Sequence, residues 1–181
     1  MTMQQGPAAL AAGVVVGLVM LVAVLAGAAA TGLSAVLGGA GAGSGPAAPT
    51  GATAGIPADY LLLYEQAAAS CPGLSWSVLA AIGTIESGNG ANEGPSAAGA
   101  VGPMQFEPTT FAEYDMPVPP GGVSPPSPYD PVDAIYAAAR DLCANGARDN
   151  ANLPAAIFNY NHSDTYVTEV LALAARYAAA G

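Results

Sequence analysis

The stretch Ser75–Gly88, SWSVLAAIGTIESG, decides how this domain is built. Ser75 is a suitable N-cap and Gly88 a suitable stop, so the stretch predicts a helix that ends just before Gly88. At about 100° per residue, Glu86 falls within about 40° of Ile82, which places a carboxyl group on the apolar side of the helix. Burial and the partial negative charge of the helix C-terminus both disfavour a carboxylate, so we expect the pKa of Glu86 to be raised. A carboxyl group that is neutral near pH 7 can donate a proton, which makes Glu86 the candidate general acid. The alternative is an exposed glutamate at a frayed helix end.

Helical periodicity continues on both sides of this stretch, and no alternating run of apolar and polar residues is long enough to form a sheet. The sequence therefore predicts a mainly α domain. A Pro-rich loop (116–128) separates two of its helices, because so many prolines prevent regular structure. The other predicted helices run from Ile56-Pro57 to the Cys71-Pro72-Gly73 break, from Pro108 to Tyr114, from Asp130 to Asn145-Gly146, from Pro154 to Tyr160 and from Ser163 to Tyr177. The apolar face of the last helix is predicted to comprise Val167, Val170, Leu171, Ala174 and Tyr177.

The N-terminal third of the chain has a different composition, because no charged side chain precedes Asp59. Residues 8–30 form an apolar run that is long enough to cross a membrane as a helix. The alternative is a cleaved signal peptide, since small residues suited to processing follow the run. We expect an anchor or signal segment at 1–37, a flexible Gly/Ala/Pro-rich linker at 38–55 and the helical domain at 56–181. Both interpretations place the domain outside the cytoplasm, either held at the cell membrane by a single span or secreted.

The charge of the helical domain excludes one class of partner. All 13 acidic residues and all three arginines lie in it, there is no lysine, and the formal net charge is −10. Nucleic-acid binding needs clustered Lys or Arg to neutralise phosphates. We therefore expect no nucleic-acid partner.

The two cysteines, Cys71 and Cys143, both lie in the helical domain. An even pair in an oxidising compartment predicts a structural disulfide, and the alternative is two buried free thiols. A metal site is not expected, because two cysteines and the single histidine lack the spacing of a zinc ligand set.

Three short motifs follow one another in the helical domain. They are IESG at Ile85–Gly88, SAAGAVGPMQF at Ser96–Phe106 and AIFNYN at Ala156–Asn161. In this order they resemble the motifs of the soluble lytic transglycosylases, which are relatives of goose-type lysozyme. The resemblance extends from about Pro57 to Tyr177 and implies a lysozyme-like helical fold. Two positions depart from the family pattern, since Pro103 replaces the usual Leu and Asn159 replaces a small residue.

The resemblance also implies a set of site residues. Glu86 matches the catalytic acid, the Ser and Gln of the second motif match residues that contact the sugar, and the Tyr of the third matches one that lies beside the acid. Neutral polar side chains suit N-acetyl and hydroxyl groups, and aromatic faces suit sugar rings. For Phe106 and Tyr160, the alternative is packing in the core. The candidate substrate-binding residues are Ser87, Ser96, Gln105, Phe106, Tyr160 and Asn161.

The implied substrate is the peptidoglycan glycan strand, so a secreted form of the protein is expected at the cell wall. The implied reaction uses no cofactor. Glu86 would cleave the bond between N-acetylmuramic acid and N-acetylglucosamine and leave a 1,6-anhydromuramoyl end. A muramidase that hydrolyses the same bond is one alternative, and it needs a second carboxylate. No motif places that group, for which Glu93, Glu107, Asp115 and Asp130 are available. A non-catalytic module that binds the cell wall is the other alternative.

Overall fold

The computed structural model describes Thr53 and residues 55–180, and six α-helices form most of this part. They are α1 (Ala58–Ala68), α2 (Trp76–Ser87), α3 (Pro108–Tyr114), α4 (Pro131–Leu142), α5 (Leu153–Asn161) and α6 (Asp164–Ala178). Among the described residues, an isolated bridge between Val101 and Phe106 is the only β-pairing. The predicted mainly α class is thus confirmed for the domain. The predicted anchor or signal segment and almost all of the predicted linker lie outside the described residues.

Helix α2 is the centre of the packing. It contacts α6 most extensively and α1 next, with a smaller contact to α4. Leu79, Ala80, Ala81 and Ile82 on α2 are fully buried. Alanines at the helix contacts leave little side-chain bulk between neighbouring backbones, so the helices can pack closely. The C-terminal end of α2, which carries Glu86, is consequently held by this packing on several sides.

Local capping signals set the ends of several helices as predicted. The Ser75 side chain accepts a hydrogen bond from the Ser77 amide at the start of α2, and Gly88 ends that helix in the left-handed conformation, with φ of 66°. Asp130 caps α4 by accepting from two backbone amides, and Ser163 caps α6. These bonds satisfy donors that have no partner within the helix, so the boundaries follow from local sequence.

The bounds of two predicted helices need correction. Helix α1 begins at Ala58, directly after Pro57, and ends at Ala68, before the predicted Cys71-Pro72-Gly73 break. Helix α4 ends at Leu142, before the predicted Asn145-Gly146 stop, and continues into a π-helical turn at Cys143–Ala147. Gly146 has φ of 125° inside that turn. Because only glycine adopts such a φ readily, it is the conformation of Gly146 that changes the direction of the chain here.

The apolar face of α6 also differs from the prediction. Tyr166, Val170, Ala174 and Tyr177 are its buried residues. Val167 and Leu171 are only partly buried and lie at the edge of the core. The true face is therefore centred on the row that begins at Tyr166, a residue that the predicted face did not include.

A disulfide joins Cys71 and Cys143, with a Cα–Cα distance of 5.8 Å, as predicted. It links the segment after α1 to the end of α4 across 72 positions of sequence. Within the described residues no helix combines the length and the apolar character that crossing a membrane requires.

Candidate active site

Glu86 lies in the last turn of α2 and is half-buried. The Tyr166 hydroxyl donates a hydrogen bond of 2.6 Å to its Oε1 atom, and the Asn161 side chain also hydrogen-bonds to the carboxyl group. Burial raises the pKa of Glu86 from 4.5 to about 7, and these two bonds act in the opposite direction. The predicted rise is therefore present, and burial is its largest cause. A group with this pKa is substantially protonated at neutral pH.

The buried Ser87 hydroxyl joins the end of α2 to the loop of the second motif. It donates to the Pro103 carbonyl oxygen at 2.7 Å and accepts from the Gly90 amide at 2.8 Å. Only 2% of the residue is exposed. The prediction that Ser87 contacts the substrate needs correction, because its hydroxyl is enclosed and already has partners. Its contribution is to fix the backbone beside Glu86.

Gly83 in α2 leaves space for the buried side chain of a tyrosine on α1. A Cβ atom on Gly83 would lie 2.0 Å from the Tyr64 hydroxyl oxygen, so only glycine leaves room for that side chain. The Tyr64 hydroxyl donates to Asn89 Oδ1 at 2.8 Å. Asn89, in the left-handed conformation with φ of 58°, lies directly after the Gly88 cap. Gly83 thus allows α1 to support the turn that follows Glu86.

The second motif forms a tight turn between Val101 and Phe106. Gln105 has φ of 48° and is half-buried, and its Nε2 atom donates to the Gly102 carbonyl at 3.0 Å. The buried Met104 offers its carbonyl oxygen to the Tyr160 hydroxyl at 2.9 Å. The turn is therefore attached both to the end of α2, through Ser87, and to α5, through Tyr160.

Phe106 belongs to the core. The residue is 3% exposed, and its ring packs edge-to-face against Tyr160 and Phe111, with centroid distances of 5.5 and 5.8 Å. The expected sugar-binding face is therefore covered, and the core-packing alternative holds for this residue. Phe106 thus packs against the ring of Tyr160 and helps to hold it in place.

The other predicted binding residues differ in their surroundings. Tyr160 is half-buried, and Asn161 is exposed and next to Glu86. Ser96 is half-buried in the loop after α2, where its hydroxyl accepts from the Ala100 amide at 3.0 Å. That loop is connected to Gln105, whose Nε2 atom also lies 3.4 Å from the Gly94 carbonyl oxygen. The structure thus brings the third motif to Glu86 directly and the second motif through backbone contacts.

Tyr166 is the functional side chain that sequence reasoning missed. It lies in the first turn of α6 and outside all three motifs, and it is 6% exposed. Tyr166 precedes Val170 by four residues and Ala174 by eight, and residues at this spacing share a helix face. This spacing was the signal that could have placed Tyr166 on the buried face of α6. Only the packing of α6 on α2 brings its hydroxyl to a residue 80 positions earlier.

The arrangement can perform acid–base chemistry with one carboxyl group. Near pH 7, Glu86 can donate a proton as the neutral acid and accept one as the carboxylate, because its pKa is about 7. Among the described residues, no group of three or more His, Cys, Asp or Glu side chains could hold a metal ion. Asn161 provides a neutral amide beside the acid, suited to hydroxyl or N-acetyl groups.

Comparison with known proteins identifies a family that this domain matches. The family described as "Transglycosylase SLT domain" matches residues 63–179, which is more than half of the chain and includes most of α1 and all of α2 to α6. No match was found among curated proteins or among solved structures. The extent of the family match, together with an acid at the end of α2, shows that the chain belongs to the transglycosylase SLT domain family.

Proposed function

We propose that this protein is a peptidoglycan lytic transglycosylase in which Glu86 is the only catalytic carboxyl group. The observation that carries the proposal is the half-buried Glu86 with its pKa raised to about 7 and an exposed amide beside it. Membership of the SLT family implies a glycan-cleaving activity of the transglycosylase type. Peptidoglycan strands are accordingly the proposed substrate.

The reaction uses the same carboxyl group twice. Neutral Glu86 donates its proton to the glycosidic oxygen as the bond from that oxygen to C1 of N-acetylmuramic acid breaks. The C6 hydroxyl of the same sugar then bonds to C1 and gives its proton to the Glu86 carboxylate. The products are a 1,6-anhydromuramoyl end and a free N-acetylglucosamine end, and the acid is regenerated without consumption of water. One group can serve in both steps because its pKa lies near neutrality.

The surroundings of the four other candidate acids favour this route over hydrolysis. Hydrolysis needs a second carboxylate across the bond from the acid. Asp130 caps α4, Asp115 interacts with Arg140, and Glu93 lies 3.4 Å from the Tyr60 hydroxyl. Glu107 is the exposed residue before α3. The groups that lower the pKa of Glu86 are a tyrosine and an amide, so its nearest partners are neutral.

Product analysis tests the proposal. Purified peptidoglycan is digested with the full-length protein, and the released muropeptides are identified by mass spectrometry. Anhydromuramoyl ends are expected, and each such product is lighter than the corresponding reducing end by one water. Reducing ends alone would assign the muramidase reaction instead. Glu86→Gln should release nothing and still bind peptidoglycan. Equal binding by both proteins, with no product from either, would identify a non-catalytic wall-binding module.

We also propose that the domain works outside the cytoplasm. The disulfide between Cys71 and Cys143 supports this location, because such bonds persist in oxidising compartments. The apolar run at 8–30 supports either a membrane anchor or a secretion signal. Cell fractionation and the N-terminal sequence of the mature protein distinguish the two forms. Recovery of the reduced protein in the cytoplasm would contradict both.

A further inference from the structure

The two tyrosines nearest to Glu86 have different hydrogen-bond partners. Tyr160, in the third motif, donates to the Met104 carbonyl oxygen, whereas Tyr166 donates to the carboxyl group itself. We infer that Tyr166 is the positioning residue of Glu86, which holds the carboxyl group in one orientation and stabilises its carboxylate form during the reaction. This inference rests on the proposed function and concerns a residue that the motifs do not include.

The position of the Tyr166 hydroxyl is well determined by its helix. Ser163 caps α6, and its side chain accepts from the Tyr166 amide, so the backbone at the start of the helix is fixed. Two further contacts join α6 to α2. Tyr177 stacks on Trp76 with a centroid distance of 6.5 Å, and its hydroxyl lies 3.0 Å from Thr84 Oγ1. A phenol on such a helix has few alternative positions, so its bond to Oε1 restricts the carboxyl group to one rotamer.

Tyr166 opposes the effect of burial on the proton of Glu86. A hydroxyl that donates to a carboxylate forms a charge-assisted bond, whereas its bond to the neutral acid is weaker. Tyr166 therefore favours the ionised form, while burial favours the neutral form. The balance matters because the carboxylate has to exist, inside a partly buried site, between the two proton transfers. Without Tyr166 the resting acid would keep its proton more tightly and the intermediate carboxylate would be less stable.

The other groups that face Glu86 are neutral at pH 7. Tyr160 on α5 is close enough for Glu86 to raise the pKa of its phenol, and it stays protonated. Asn161, also on α5, hydrogen-bonds to the carboxyl group without titrating. Burial and the nearby Glu86 likewise raise the pKa of Tyr166. Within the part of the chain that the structure describes, no second charged group therefore complicates the expected effect of removing one hydroxyl.

The test compares Tyr166→Phe with Tyr160→Phe, which removes the same atom from the neighbouring tyrosine. The full-length protein is labelled with ¹³C at the glutamate side-chain carboxyl carbons, and the Glu86 signal, assigned by its loss in Glu86→Gln, is titrated. In Tyr166→Phe the midpoint should rise by about 0.5 to 1 pH unit. In Tyr160→Phe it should stay within about 0.2 unit of the wild type. The rate of anhydromuropeptide release by Tyr166→Phe should fall by about ten-fold or more near pH 7, and the alkaline limb of its pH profile should move up with the midpoint.

An unchanged midpoint in Tyr166→Phe would overturn the inference, as would an equal rise in both variants. If Tyr166→Phe does not fold, as judged by circular dichroism, a fluorinated tyrosine at position 166 replaces it. The fluorinated phenol is a stronger donor of nearly the same shape, so the midpoint should then fall, and a midpoint that stays or rises would overturn the inference. The titration needs no turnover. A wild-type protein that releases no anhydro product would therefore refute the proposed function, and the titration would still decide the role of Tyr166 in holding the carboxyl group.

Discussion

Replacing Glu86 by Gln should stabilise the fold at alkaline pH while it abolishes activity. Gln keeps the shape of the side chain and an oxygen that can accept from Tyr166, but it carries no proton that titrates. The pKa of Glu86 is about 7 in the folded protein, against an ordinary value of 4.5 that represents the unfolded chain. The favourable contribution of this group is therefore fully present below pH 4.5 and is lost as the pH rises through 7. Above that window the wild-type fold contains a partly buried carboxylate, and the variant does not.

The structure also gives the magnitude of this stabilisation by Gln. A pKa difference of about 2.5 units corresponds to about 3 kcal/mol, which is an upper limit. The side chain is half-buried, and solvent can relax around the carboxylate, so we expect about 1–3 kcal/mol. At pH 8, the replacement by Gln should raise the free energy of unfolding by about 1–3 kcal/mol more than it does at pH 4. The pH dependence of the difference is the quantity of interest, because a constant offset would report only on packing.

Urea unfolding followed by circular dichroism at the two pH values measures this difference in the oxidised protein. Glu65→Gln is the matched control, because it makes the same replacement at an exposed position of α1. Its effect should stay within about 0.5 kcal/mol at both values. If Glu86→Gln stabilises the fold no more at pH 8 than at pH 4, Glu86 does not carry a raised pKa and the proposed acid is ionised.

Three further changes test the support of the site. Replacing Cys71 and Cys143 together by Ser should lower the free energy of unfolding by about 4 kcal/mol, from the chain entropy of a loop that spans 72 positions, and a loss under about 1 kcal/mol in urea titration would contradict it. Gly83→Ala should cost about 1–3 kcal/mol, because displacing the Tyr64 hydroxyl outweighs the gain of about 1 kcal/mol in helix propensity. A double-mutant cycle with Tyr64→Phe checks this, since additive losses would exclude the clash. Asp133→Ala should release the Pro-rich loop, because one buried carboxylate oxygen of Asp133 accepts two of the backbone amides of that loop, at 3.2 and 3.0 Å. Limited proteolysis should then cut the loop about ten-fold faster, whereas an unchanged rate would show that other contacts hold it.

Prediction from sequence worked where the signal was local. The residues Ser75, Gly88, Asp130 and Ser163 each bond to backbone groups a few positions away, so the residue type alone indicated where a helix begins or ends. The apolar face of α6 was less well predicted. Helical spacing alone predicted Val170, Ala174 and Tyr177 correctly, but it also placed the partly buried Val167 and Leu171 on the face and left out Tyr166.

Burial was the property that local sequence could not assign. Ser87 and Phe106 both lie in motifs of a glycan-cleaving family, and both were expected to bind substrate. Each turned out to be enclosed, because the turn of the second motif packs onto the end of α2 and onto α5. The sequence shows the same serine or phenylalanine whether the side chain faces solvent or the core. Only the packing of the neighbouring residues decides which of these two environments it has.

The sequence by itself determined the helical class of the domain, most helix ends, the disulfide pairing and the place of Glu86 on the inner side of its helix. All of these depend on the order of residues within a few turns or on there being only two cysteines. The tertiary structure alone decided that the Tyr166 hydroxyl meets Glu86 and that the tyrosine of the third motif contacts a backbone carbonyl instead. The physical reason is that contacts between residues so far apart in sequence depend on the angle at which the helices cross. A small change in that crossing angle shifts a hydroxyl by several ångströms.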